Sequence, residues 1–163
     1  FILQDALNFS TFSTFNIQYM SQKMTLKTQF TFNAPIEKVW EGLTNPVLIK
    51  QYFFGTDLDT SWKVGEPIYW RGSWDGVSYE DKGIVLEYEH QKRLKYNYWS
   101  SMSGTEDVPE NYADITYEVA SKDGKTLLTI TQTGHDSEEK REHSETNWKG
   151  MMAEMEKVMS DER

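Results

Sequence analysis

The sequence predicts an α+β fold, a curved antiparallel sheet wrapped around one long C-terminal helix, with two short helices after the first strand. Three observations predict it. Apolar residues alternate in one stretch at 25–32 and in five more between 66 and 133, the period of half-buried strands. The segment "TFNAPIEKVWEGLTNPVLIKQYF" (31–53) passes from a strand into two short helical patterns split at Asn45-Pro46. "TNWKGMMAEMEKVM" (146–159) carries an apolar stripe that must lie against something, and the sheet is its available partner.

Taken in order, "TLKTQFTF" (25–32) places Leu26, Thr28, Phe30 and Phe32 on one face. Asn33 is expected to cap the next helix and Pro35 to fill its first turn, with Ile36, Val39, Trp40 and Leu43 at helical spacing. Pro46 disfavours the α region at Asn45, which can then cap a second helix bearing Val47, Ile49, Tyr52 and Phe53. The two helices are expected to plug one end of the sheet. "PIYWRGSW" and "VSYEDKGIVLEYEH" flank Asp75-Gly76, a strong hairpin signal. "RLKYNYWS" follows the polar turn Gln91-Lys92, and "YADITYEVA" and "KTLLTITQT" are joined by Ser121–Gly124. The loop 101–111 is small, polar and acidic. The last helix is expected over 136–160, capped by Asp136 or Ser137, with Trp148, Met152 and Met155 facing the sheet.

The 163 residues suffice for one domain with a real core. We place it at 23–163 and read 1–22, which holds Phe1, Phe9, Phe12 and Phe15 but only one charge, as an N-terminal extension. That extension lacks the positive start and continuous apolar run of a secretory signal. Nowhere does the sequence hold an apolar run long enough to span a membrane. There is no cysteine, which removes disulfides, thiolate metal sites and cysteine nucleophiles and points to a cytoplasmic home. A net charge of −9 without a basic cluster argues against nucleic acid as a partner.

The chain resembles the activator of heat-shock-protein-90 ATPase homologue-like family of the START-like, helix-grip superfamily. The residues that carry the likeness are Ala34-Pro35, Val39-Trp40, Asn45-Pro46 and Tyr52-Phe53 after a first strand. "KGIVLEYEHQKRLKYNYW" (82–99) is similar to the family's Gly-x-Val-x-Glu strand, polar turn and Arg-Leu strand, and 146–159 to its closing helix. Two departures stand out: Asn147 replaces the glycine before the tryptophan, and Met152, Met155 and Met159 replace leucines. Methionine makes that helix surface adaptable. The family's eukaryotic co-chaperones carry a separate amino-terminal domain, which this chain is too short to contain as well.

Catalytic and metal chemistry find little support in the residues. His90, His135 and His143 are scattered and are read as surface side chains, so no metal site, cofactor or catalytic residue is expected. There is no Gly-x-Ser-x-Gly nucleophile turn and no Gly-rich phosphate loop. The better lead is aromatic. Alternation puts Ile68, Trp70 and Trp74 on one face, then Leu94, Tyr96 and Tyr98, then Ile115, Tyr117 and Val119, then Leu128, Ile130 and Gln132. Arg71 falls on the other face. We therefore expect Trp70, Tyr96, Tyr98, Tyr117, Gln132, Trp148, Met152 and Met155 to line a cavity for a small hydrophobic or amphipathic molecule, bound without chemistry. A protein-interaction module that meets a chaperone through loop 101–111 and the acidic surface is the alternative. A cyclase- or hydrolase-like enzyme ranks third, because the inward positions supply few carboxylates.

Overall fold

The computed structural model describes residues 23–161. The expected extension 1–22 and the last two residues lie outside the described residues. Within them, seven strands form one antiparallel sheet: β1 (Met24–Phe32), β2 (Asp57–Thr60), β3 (Pro67–Trp74), β4 (Val77–Glu89), β5 (Arg93–Tyr98), β6 (Ala113–Lys122) and β7 (Lys125–His135). Their order is β1-β7-β6-β5-β4-β3-β2, so the first strand returns beside the last. The helices are α1 (Ile36–Thr44), α2 (Pro46–Tyr52) and α3 (Glu138–Asp161). This is the α+β helix-grip arrangement that the sequence predicts. Among the described residues, no helix is long and apolar enough to cross a membrane.

The local chemistry is mostly as expected. Asp75-Gly76 and Asp123-Gly124 both sit at positive φ, the geometry of tight hairpins whose twist matches the flanking strands. Asn45 caps α2 by accepting a hydrogen bond from the Val47 amide at 3.0 Å, with Pro46 in the first turn. Ser137 Oγ accepts from the Lys140 amide at 3.2 Å at the start of α3. At α1 the expectation fails: Pro35 itself occupies the cap position, its carbonyl accepting from the amides of Lys38 and Val39, and Asn33 makes no cap.

Three further departures have physical causes. β2 shows no sequence signal because "DLDT" buries only Leu58, and pairing with β3 creates it. Trp74 does not join Trp70 inside; it lies at the strand end, 56% exposed, edge-on to Phe54. His135 is not a surface residue but is buried at the end of β7.

The core gathers Leu26, Val39, Trp40, Leu94, Leu128 and Ile130 against the α3 stripe of Trp148, Met152, Met155 and Met159. Met152 and Met155 face inward as predicted, at 2% and 0% exposure. α1 approaches α3 closely because Gly42 has no side chain: a Cβ there would lie 3.1 Å from Met155 Sδ.

Candidate functional site

A cavity of about 210 Å³ opens between the sheet, α3 and the two short helices. The sheet supplies Trp70 from β3, Tyr96 and Tyr98 from β5, Ile115 and Tyr117 from β6, and Gln132 from β7. Strand pairing explains the grouping: Tyr96 lies opposite Ile115, and Ile115 opposite Gln132. β4 contributes no lining residue: Asp81, opposite Trp70, borders the neighbouring depression beside Phe54 and Trp74, and Gly83 carries no side chain. The rings of Trp70, Tyr96, Tyr117 and Trp148 therefore form a continuous row, with centroids 5.5–5.9 Å apart. Those are the spacings of favourable aromatic pairs.

The opposite wall comes from Leu43, Ile49, Tyr52 and Phe53 of the helical segment, with Leu58 and Trp62 just beyond it. From α3 come Ser144, Asn147, Trp148 and Met151. Asn147 is exposed and Met151 half-buried, so the mouth lies along this face of the helix.

Six of the eight residues expected at the site are thus brought together. Met152 and Met155 are not. They point into the packed core, and Met151, one position round the helix, faces the cavity instead. The wall residues Leu43, Ile49, Tyr52 and Phe53 were legible only as a plug, and Leu58 and Trp62 carried no periodic signal.

The polar tips in the cavity are mostly spent on the protein. Tyr52 donates to the Gly42 carbonyl at 2.7 Å and Trp62 Nε1 to the Thr44 carbonyl at 2.9 Å. Tyr98 donates to the buried Asp81 at 2.5 Å. Trp148 Nε1 donates to Gln132 Oε1 at 2.7 Å, and Tyr96 and Tyr117 share one bond of 2.7 Å between their hydroxyls. Burial pushes the hydroxyls of Tyr52, Tyr96, Tyr98 and Tyr117 well above the ordinary phenol range, so all four stay protonated.

His135 sits behind the cavity. Its Nδ1 lies 3.3 Å from the Met24 carbonyl, which can only accept, so Nδ1 carries the proton and Nε2 accepts from Ser144 Oγ at 2.9 Å. The ring thereby ties β1 and α3 to β7. Burial lowers its pKa below the ordinary histidine value, Arg141 adding to the effect and the Met24 carbonyl and Asp136 opposing it. An unfolded chain binds a proton here more readily than the folded one. Stability from this residue is therefore present above about pH 6.5 and lost as pH falls toward the folded pKa. We expect urea midpoints between pH 8 and pH 5 to fall less for His135→Gln than for the parent; parallel profiles would contradict a buried neutral imidazole.

A larger depression, about 490 Å³, lies on the opposite face of the sheet, lined by Tyr69, Lys82, Ile84, Asn97 and Asp114 among others. Its residues alternate with the inward set, and the Lys82–Asp107 ion pair crosses it. It is an open, charged groove, and we take the smaller aromatic cavity as the candidate site. Among the described residues no cluster of His, Asp or Glu could hold a metal ion.

Comparison with known proteins agrees with this architecture. The family described as Activator of Hsp90 ATPase homolog 1-like protein matches residues 33–160. The chain belongs to that family. Its fold is START-like, as the solved structures it resembles also indicate. The solution structure of ChR145 from Cytophaga hutchinsonii is 38% identical, with 86% of this chain and 96% of that one covered and a TM-score of 0.77. The crystal structure of MLL2253 from Mesorhizobium loti shares 22% identity over 85% of this chain and 98% of that one, with a TM-score of 0.68. CalU16 from Micromonospora echinospora shares 16% over 86% and 87%, with a TM-score of 0.63. The last two likenesses concern the fold alone. No curated protein matches the chain.

Proposed function

We propose that the cavity between sheet and C-terminal helix binds a small hydrophobic or amphipathic ligand and does not transform it. The observation that carries this reading is the row Trp70–Tyr96–Tyr117–Trp148, which borders space instead of closing on it. Mostly apolar walls with a few fixed polar groups are the common form of small-molecule sites. None of the lining residues is Asp, Glu, Lys, Arg or His, which favours binding over acid–base chemistry. The absence of cysteine favours a cytoplasmic setting for it.

The test is a thermal-shift screen of neutral one- and two-ring compounds. A compound at about 100 times its Kd adds about 2.7 kcal/mol, which raises Tm by roughly 5–10 °C in a protein of this size. Leu58→Trp, which fills the cavity from β2, should abolish the shift. A screen without any shift, or a shift undiminished in Leu58→Trp, would overturn the reading.

One patch favours the protein-interaction reading as an alternative. Phe54, 69% exposed, packs edge-on to Trp74, and both border a depression that includes Met102. Trp74→Ser should then weaken capture by a chaperone without changing ligand-induced shifts.

A further inference from the structure

We propose that the ligand is uncharged and carries a hydrogen-bond acceptor, a carbonyl or ether oxygen, that takes the spare proton of the Tyr96–Tyr117 hydroxyl pair beside the free amide of Gln132. This inference rests on the cavity reading above and specifies its chemistry.

It follows from counting protons. Two hydroxyls hold two protons, and the single bond between Tyr96 and Tyr117 uses one. Whichever oxygen donates, the other keeps a proton with no acceptor among the described residues. Both residues are buried and both line the cavity, at 5% and 8% exposure. The neighbouring donors are already engaged: Tyr52 with Gly42, Tyr98 with Asp81, Trp62 with Thr44. Gln132 repeats the pattern. An indole N–H can only donate, so the Gln132 atom facing Trp148 is the carbonyl oxygen. The NH₂ group is left over, and it has no acceptor among the described residues. On the sheet wall the unspent polar groups are therefore donors, one hydroxyl of the Tyr96–Tyr117 pair, the Gln132 amide and the Trp70 indole N–H, while Asn147, which can both donate and accept, is exposed at the mouth on α3. The spare hydroxyl proton belongs to a buried residue and the Gln132 amide to a half-buried one; a donor left without an acceptor by a bound hydrocarbon is costly, and a ligand oxygen removes that cost.

Charge narrows the class further. No cationic side chain lines the cavity to compensate a carboxylate or phosphate, and no carboxylate lines it to compensate an amine. Because burial holds both phenols in their protonated form, the preference for an acceptor should not change between pH 6 and pH 9.

The experiment compares indane with 1-indanone, which differ by one carbonyl oxygen, by isothermal titration. One hydrogen bond satisfied on binding predicts that the parent protein binds 1-indanone about tenfold more tightly than indane. Indane-1-carboxylate should bind at least about tenfold more weakly than 1-indanone, since its charge must be desolvated. Tyr96→Phe and Tyr117→Phe singly each leave one hydroxyl, now free to donate to the ligand, so each should retain most of the preference. The double variant removes both hydroxyls together and leaves no orphan proton, so it should fold, and its preference for 1-indanone over indane should disappear. A preference that survives in the double variant, or a parent that binds indane as tightly as 1-indanone, overturns this inference and leaves the cavity reading standing. Failure of both probes to bind the parent at all overturns both.

Discussion

Replacing Gly83 by alanine is expected to destabilise the domain by about 3 kcal/mol or more, at the severe end for a single added methyl group. A Cβ on Gly83 would overlap the backbone oxygen of Asn97 and lie 2.8 Å from its carbonyl carbon. Backbone, unlike a flexible side-chain end, cannot turn away. β5 cannot retreat either. Lys82 and Trp99 exchange two backbone hydrogen bonds of 3.0 and 2.9 Å on one side of the contact. On the other, Val85 pairs with Tyr96, and the Ile84 amide donates to Asn97 Oδ1 at 2.7 Å. Relief would break this ladder and move Tyr96 and Tyr98 with it. Urea unfolding measures the loss, and a change below about 1 kcal/mol would contradict the close approach of the two strands.

Met155→Ala is expected to cost about 2–5 kcal/mol, whereas Met151→Ala should cost about 1 kcal/mol or less. The two residues stand four apart on the same helix and differ in what they face. Met155 has no exposure, and its sulfur and Cγ pack over Gly42 of α1. Truncation leaves an enclosed void that surrounding helices cannot fill. Met151 is half-buried on the cavity rim, where truncation only enlarges space already present. Equal costs measured by denaturant unfolding would mean that the cavity and the core are not distinct. A ligand should feel Met151→Ala and be indifferent to Met155→Ala.

This pair also marks where the sequence stops being legible. The stripe Trp148, Met152, Met155 and Met159 can be read from helical spacing, and it is buried. Which flank of that stripe borders empty space depends on where α3 crosses the sheet, and no periodicity encodes that. Strand faces were easier. Alternation alone placed Tyr96, Tyr117 and Trp70 inward, and the Asp-Gly turns fixed the hairpins that align them. It failed for Trp74, because a correct face is buried only as far as something covers it. β2 was invisible because one buried leucine makes no pattern, yet it delivers Leu58 to the cavity. His135 was misplaced for a related reason: burial at a strand end is decided by partners as distant in sequence as Met24, at the start of β1.

The central claim is that a small molecule occupies the space between the sheet and α3. The chain carries its own reporters, six tryptophan indole N–H groups resolvable in one proton–nitrogen NMR spectrum. Trp62, Trp70 and Trp148 line the cavity. Trp74 lies in the exposed patch with Phe54, Trp99 stacks on Tyr112 beside the outer groove, and Trp40 is buried in the core. Titration with 1-indanone should move the signals of Trp62, Trp70 and Trp148 together and saturably, and leave those of Trp74 and Trp99 in place. Shifts confined to Trp74 or Trp99, with the three cavity signals unmoved, would contradict the account.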